Sequence, residues 1–162
     1  MTRFARLLPL CALVALAACS DPFGGSGTGQ TAAPGSTADP SSVAYFQQTV
    51  GDRVLFPVDQ AVLTDGARAT VNQQAKWLTA NGAYTAVVEG HADEQGTREY
   101  NLALGARRAT AVRDQLVEAG VAPGRIRTLT YGKERPLEVC SEEACYEKNR
   151  RAVTVLTAGG TS

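Results

Sequence analysis

The segment from Glu89 to Arg108 constrains this chain more than any other. The apolar run Thr85 to Gly90 reads as a strand, and an acid, Asp93, stands just beyond its end. A loop containing Gly96 follows, then a long helix expected over Thr97 to Ala119 and stopped by Gly120 and Pro123. At about 100° per residue, Leu102, Gly105, Ala109, Val112 and Leu116 form one stripe that should face a sheet. Asn101, Leu104 and Arg108 fall on the adjacent stripe, at the border between core and solvent, while Arg107 points to water. One acid and one base held side by side suit a ligand that itself carries an ammonium and a carboxylate. Arginine is the right base for this, because its planar fork grips a carboxylate with two parallel hydrogen bonds.

The remaining elements follow from periodicity and punctuation. A short helix begins near Ser42 and ends near Gly51, and Arg53 to Val58 reads as a strand. A helix over Thr64 to Asn81 carries Ala67, Val71, Ala75 and Leu78 on one face, with Thr64 as N-cap and Gly82 as the stop. Ile126 to Tyr131 and Ala152 to Leu156 supply two more strands. The order βαβα followed by ββ predicts an α/β (α+β) sandwich: one mixed four-stranded sheet with helices on one face. Trp77 and Tyr100 are expected to pack, and His91 to be structural or to face a partner. Arg125, Arg127, Lys133, Arg135, Arg150 and Arg151 are read as a solvated face, with a surface for a protein partner as the richer reading.

The first eighteen residues form a separate unit. Arg3 and Arg6 precede an apolar stretch, Leu7 to Ala18, that is short for a transmembrane helix. Its end, Leu16, Ala17, Ala18 and Cys19, resembles the bacterial lipobox, so residues 1–18 are expected to be a lipoprotein signal peptide and Cys19 to carry the lipid, palmitate included. Several acyl chains anchor permanently where one binds marginally. Ser20 stands where an aspartate would resemble an inner-membrane retention signal, so the expected address is the periplasmic face of the outer membrane of a Gram-negative bacterium. From Cys19, residues 19–42 are rich in Gly, Ser, Thr, Ala and Pro and read as a flexible linker, spanning roughly 25 Å on average. The folded domain is expected over 43–158, with 159–162 a short tail.

Loss of the signal peptide leaves 14 basic and 16 acidic residues, a net charge of about −2, which excludes nucleic acid as a natural partner. Cys140 and Cys145 remain in an oxidising compartment, where thiols pair. A zinc site needs four ligands, and the single histidine, His91, is remote in sequence, so a local disulfide is preferred. The loop it closes is short and is stabilised by only ~2 kcal/mol in the chain-entropy picture. No metal or cofactor is implied.

The wording around Asp93 and Arg108 resembles the OmpA-like peptidoglycan-binding domain, in particular its peptidoglycan-associated lipoprotein branch. Tyr131 to Pro136 and Asn149 to Val153 extend that likeness over essentially the whole domain. The resemblance implies non-covalent binding of the meso-diaminopimelate of peptidoglycan stem peptides through Asp93, Arg108, Leu104 and Asn101, with Phe56 and Asp59 contributing from the loop after the first strand. It also implies TolB and TolA as partners, in a Tol–Pal system that holds outer membrane to wall during division. Pro57 departs from the small or acidic residue many relatives carry, and removes a backbone donor.

Two other readings stand beside this one. In one, Asp93 and Arg108 pair with each other as an internal ion bridge, which a ligand could replace. The domain could also act mainly as a protein-partner adaptor of the TolB-binding kind, with weak or no wall affinity. Catalysis is disfavoured: one histidine cannot furnish a zinc peptidase, and an arginine beside the acids suits carboxylate capture better than a glycosidase pair.

Overall fold

In the computed structural model, which describes residues 33–158, four strands form one mixed sheet in the order β1-β4-β2-β3. The expected signal peptide, the expected lipidation site at Cys19, the first part of the expected linker and the expected tail lie outside the described residues. Helix α1 (Val43–Tyr45) runs on as a π-helical turn, Phe46–Gly51, into β1 (Arg53–Leu55). Then come α2 (Asp65–Ala80), β2 (Tyr84–His91), α3 (Arg98–Glu118), a 3-10 turn at Pro123–Arg125, β3 (Ile126–Gly132), α4 (Glu143–Asn149) and β4 (Arg151–Ala158). Strand β4 is antiparallel to both β1 and β2, whereas β2 and β3 are parallel. Parallel neighbours need a crossover, and α3 supplies it. The expected fold class is what forms.

Local chemistry explains the boundaries. Thr97 caps α3 by accepting from the Tyr100 N–H, and Thr64 caps α2 by accepting from the Ala67 N–H. Helix α3 ends where Gly120 takes a φ of +101° and the Val121 N–H reaches back to the Leu116 carbonyl. Helix α2 stops at Asn81, whose side chain donates to the Trp77 carbonyl, just ahead of Gly82. Strand β1 is shorter than the expected Arg53 to Val58. Phe56 donates one more bond, to the Arg150 carbonyl, but Pro57 has no N–H and the chain turns away.

Two segments expected as loop are ordered. Residues 33–42, expected within the linker, form successive turns, and the Trp77 indole donates to the Pro40 carbonyl at 2.7 Å. Between β3 and β4 lies α4, carrying one end of the Cys140–Cys145 disulfide. Trp77 also packs between Phe46 and Tyr84, as expected of a core residue.

The core lies between the two long helices and one face of the sheet: Val71, Ala75 and Leu78 from α2, Ala109, Val112 and Leu116 from α3, and Ala86, Val88 and Ala152 from the strands. Helix α3 comes unusually close to β2 at one point. A Cβ on Gly90 would stand 1.8 Å from the Gly105 carbonyl oxygen, and one on Gly105 would stand 2.5 Å from the Thr130 hydroxyl. Neither backbone can yield without lifting the helix. Gly90→Ala is therefore expected to destabilise by about 3 kcal/mol or more, although strand propensity alone would favour alanine. Urea unfolding of the variant against the parent checks this.

Candidate functional site

The site sits where β2 ends against the N-terminal half of α3. Pairing between β2 and β3 shifts register at Gly90 and His91, and the Ala92 N–H then bonds to the Gly132 carbonyl. This irregularity re-aims the chain just ahead of Asp93. The following turn is self-supporting: an Asp93 oxygen accepts from the Gln95 N–H, and the Asn101 amide donates to the Gln95 carbonyl at 2.7 Å. Gly96, with a φ of +87°, closes the turn into the helix.

A cleft of about 290 Å³ opens here, lined by Val58, Asp59, Asp93, Gln95, Gly96, Tyr100, Asn101 and Leu104. Four of the predicted site residues, Asp59, Asp93, Asn101 and Leu104, are thus brought together at one surface. Asp59 holds a φ of +56°, a left-handed conformation that aspartate tolerates better than most residues, and its carboxylate accepts from the Tyr100 hydroxyl. The Asn101 Oδ1 is buried and has no partner among the described residues. Such an acceptor is costly unless something donates to it.

Arg108 and Phe56 lie elsewhere. Arg108 is fully buried (0 % exposed) rather than half-exposed at a border, and it is not part of the cleft lining. Its Nε donates to the Gln60 carbonyl at 2.8 Å, Nη1 to the His91 carbonyl at 2.8 Å and Nη2 to the Pro57 carbonyl at 3.2 Å. The Phe56 ring lies 5.2 Å from the guanidinium carbon, so Phe56 serves the arginine as a cation–π partner from inside the fold. Burial brings the Arg108 pKa down to about 10, with Asp93 and Asp59 pulling the other way, so the side chain is charged at neutral pH. Of its five N–H groups three are engaged, leaving one on each terminal nitrogen.

The ion pair of Asp93 is made with Arg150, not Arg108: Arg150 Nη1 meets the carboxylate at 3.2 Å. Arg150 also reaches Glu143 at 2.5 Å and donates to the Phe56 carbonyl at 3.2 Å. Burial works against its charge, but the bonds to Glu143 and Asp93 outweigh it and raise its pKa. The expectation of a solvated basic face fails for three of its members. Arg150 and Arg151 are buried, and Arg125 spends its guanidinium on the carbonyls of Leu78, Asn81 and Tyr84. Arginine at the start of a strand can act as a backbone staple, which a count of charges does not reveal. Tyr100 is likewise not a packing residue: it is largely exposed, at the cleft. Its position four residues before Leu104, on the same helix face, was the available signal.

Among the described residues no group of histidine, cysteine and acidic side chains could hold a metal, and no described helix is long and apolar enough to cross a membrane. His91 is buried (2 % exposed) against Tyr131, with its Nδ1 unpartnered among the described residues. Burial, then Arg151 and Arg135, takes its pKa down to about 4. An unfolded imidazole titrates near 6.5, so between about pH 6.5 and 4 only the unfolded chain takes up this proton. Stability from this residue is present above about pH 6.5 and falls as pH drops to about 4, by about 3 kcal/mol. His91→Gln is expected to remove that part of the acid loss, as read by urea unfolding at a series of pH values.

The OmpA family matches residues 55–150. The peptidoglycan-associated lipoprotein of Mesorhizobium japonicum is 46 % identical over 164 residues, spanning 99 % of this chain and 96 % of that one. That of Brucella melitensis is 50 % identical over 123 residues, 76 % of this chain and 73 % of its own. The crystal structure of the peptidoglycan-associated lipoprotein from Burkholderia pseudomallei is similar at a TM-score of 0.66 and 35 % identity, covering 75 % of this chain and 98 % of that one. The C-terminal domain of Helicobacter pylori MotB shares the fold at a TM-score of 0.59 and 20 % identity, over 66 % of this chain and 86 % of its own.

Proposed function

Because this chain belongs to the OmpA family, within its peptidoglycan-associated lipoproteins, we propose that it is an outer-membrane lipoprotein that binds the diaminopimelate of peptidoglycan stem peptides. The family is not an enzyme family, and the proposed role is mechanical attachment. Cys19 carries the lipid after loss of residues 1–18, and the cleft at Asp93 holds the wall.

The observation that carries this reading is the state of Arg108. A buried guanidinium contacts three carbonyls and no carboxylate, which compensates its hydrogen bonds only in part and its charge hardly at all. Arg108 is buried behind the cleft, so a ligand carboxylate reaches its two remaining N–H groups, and supplies the missing anion, only when the loop carrying the Pro57 and Gln60 carbonyls shifts. The same ligand's ammonium meets Asp93 and Asp59 on the cleft wall, its methylenes lie on Leu104, and an N–H satisfies the Asn101 Oδ1. Charge-assisted bonds of this kind each net about 1.5–3 kcal/mol, which gives modest affinity. Modest affinity suffices for many anchored copies facing a polymer, where effective concentration replaces contact energy. TolB, and TolA with it, are proposed as the protein partners in envelope constriction, TolB competing with the wall for the cleft.

A second reading is favoured by Val58, which stands exposed on the lining of the cleft. Such a rim suits a protein partner, and the domain would then serve chiefly as an adaptor. Sedimentation of the protein with purified peptidoglycan separates the two. The parent is expected to co-sediment, Asp93→Asn and Arg108→Lys to bind at least about tenfold more weakly, and free meso-diaminopimelate to compete. Near-ultraviolet circular dichroism confirms that each variant is folded. Undiminished binding by both folded variants overturns the site, and no binding by the parent brings the adaptor reading forward.

A further inference from the structure

The disulfide and α4 lie against the wall of the cleft, and the contacts between them are specific. Glu94 follows Asp93 directly, and its Oε1 accepts from the Ser141 hydroxyl and from the Tyr146 hydroxyl, each at 2.9 Å. Ser141 is inside the loop that Cys140–Cys145 closes, and Tyr146 is the first residue beyond it. A single carboxylate oxygen is thus held from both sides of the cross-link. Arg150, the C-cap of α4, reaches back to Glu143 in the first turn of that helix and forward to Asp93. Asn149 fixes the start of the segment, accepting from the N–H groups of Leu137 and Glu138 and donating to the Glu138 carbonyl.

The segment cannot hold this shape by helix propensity. Helix α4 has seven residues and no side-chain N-cap, well below the length at which a helix persists alone. Its first turn is kept in place by the cross-link and its last by Arg150 and Asn149. Opening the disulfide frees Ser141 from Tyr146, so their hydroxyls no longer arrive together at Glu94. The 93–96 turn then rests on the Arg150–Asp93 pair, on Lys133, which donates to the carbonyls of Glu94 and Gly96, and on its own internal bonds. A looser wall must be ordered when ligand binds, and ordering costs affinity.

We propose that the Cys140–Cys145 loop and α4 form a brace that positions the Asp93–Gly96 wall of the cleft, with Ser141, Tyr146 and Arg150 as positioning residues, so that ligand affinity depends on the disulfide. The inference rests on the diaminopimelate reading for its ligand and on the contacts above for its mechanism. Neither residue of the pair touches the cleft itself, so the cross-link acts only through the turn it supports.

The test compares oxidised protein, protein reduced with dithiothreitol, and the Cys140→Ser/Cys145→Ser variant. Reduction cleaves the Sγ–Sγ bond to two thiols while dithiothreitol is oxidised to its own cyclic disulfide. Binding of meso-diaminopimelate is read by calorimetry, and exchange of the Glu94, Gln95 and Gly96 amides by hydrogen-exchange mass spectrometry. Reduction and the double substitution are each expected to weaken binding by about 3- to 10-fold and to speed exchange in that turn. Reductant has no further effect on the double variant, and reoxidation of the parent restores affinity. Tyr146→Phe, with the disulfide intact, reproduces part of both changes, and it decides the matter if reduction unfolds the domain. Equal affinity and equal exchange in all forms overturn the brace. If no form binds diaminopimelate, the ligand assignment fails, and the brace is then judged on exchange alone: faster exchange on reduction upholds it and unchanged exchange removes it.

Discussion

Everything at the site depends on how near α3 comes to β2. At Gly90 and Gly105 no side chain separates helix from strand, and the Thr130 hydroxyl spans the remaining gap by donating to the Leu102 carbonyl at 3.0 Å. That approach sets the height of the N-terminal half of α3 above the strand end. Asn101 and Leu104 therefore reach the same cleft as Asp93, and Arg108 reaches the carbonyl of His91. A helix seated a methyl group higher would leave Arg108 short of that carbonyl and would widen the cleft between Asn101 and Asp93. Two residues with no side chain thus hold the functional side chains in register.

The two buried arginines divide the electrostatic work. Arg150 has anions of its own, Asp93 and Glu143, and behaves as a structural cation tying α4 to the turn after β2. Arg108 has carbonyls and an aromatic face, which orient the guanidinium without neutralising it. Placing one cation in a full ion pair and its neighbour in a cage of neutral acceptors leaves a single site with unmet attraction for an anion. Had a carboxylate of the fold paired with Arg108 as Asp93 pairs with Arg150, that attraction would be gone.

Much of this was legible in the sequence, and the omissions have physical reasons. The strand–turn–helix unit could be read because alternating and helical periods are strong there and because Thr97 and Gly120 punctuate the helix at both ends. Asp59, Asp93, Asn101 and Leu104 were placed together by helical spacing and by resemblance. The same spacing turns Arg108 inward and Arg107 to solvent, as observed, but it does not reveal the depth of Arg108, because burial of a charged side chain depends on carbonyls contributed by Pro57 and Gln60 in a distant loop. Arg150 was missed as the partner of Asp93 for a similar reason: 57 residues separate them, and only the pairing of β4 between β1 and β2 brings them into contact. Helix α4 has no apolar period to announce it, since tertiary bonds and a cross-link hold it in place of a packed face.

The turns at residues 33–42 define where a pull on the preceding chain would enter the fold. From Pro40, docked on Trp77, the chain passes through α1 and the π-helical turn into β1, then directly to the Pro57 and Gln60 carbonyls that cradle Arg108. A pull entering there would thus travel along about twenty residues and arrive at the Arg108 cage without passing through the inner strands of the sheet. The weakest link on that route is β1, a three-residue edge strand paired only to β4. Under load it would peel before the inner strands β4 and β2, which are paired on both sides, so a pull on residues 33–42 would reach the carbonyls that hold Arg108 while the core stays packed.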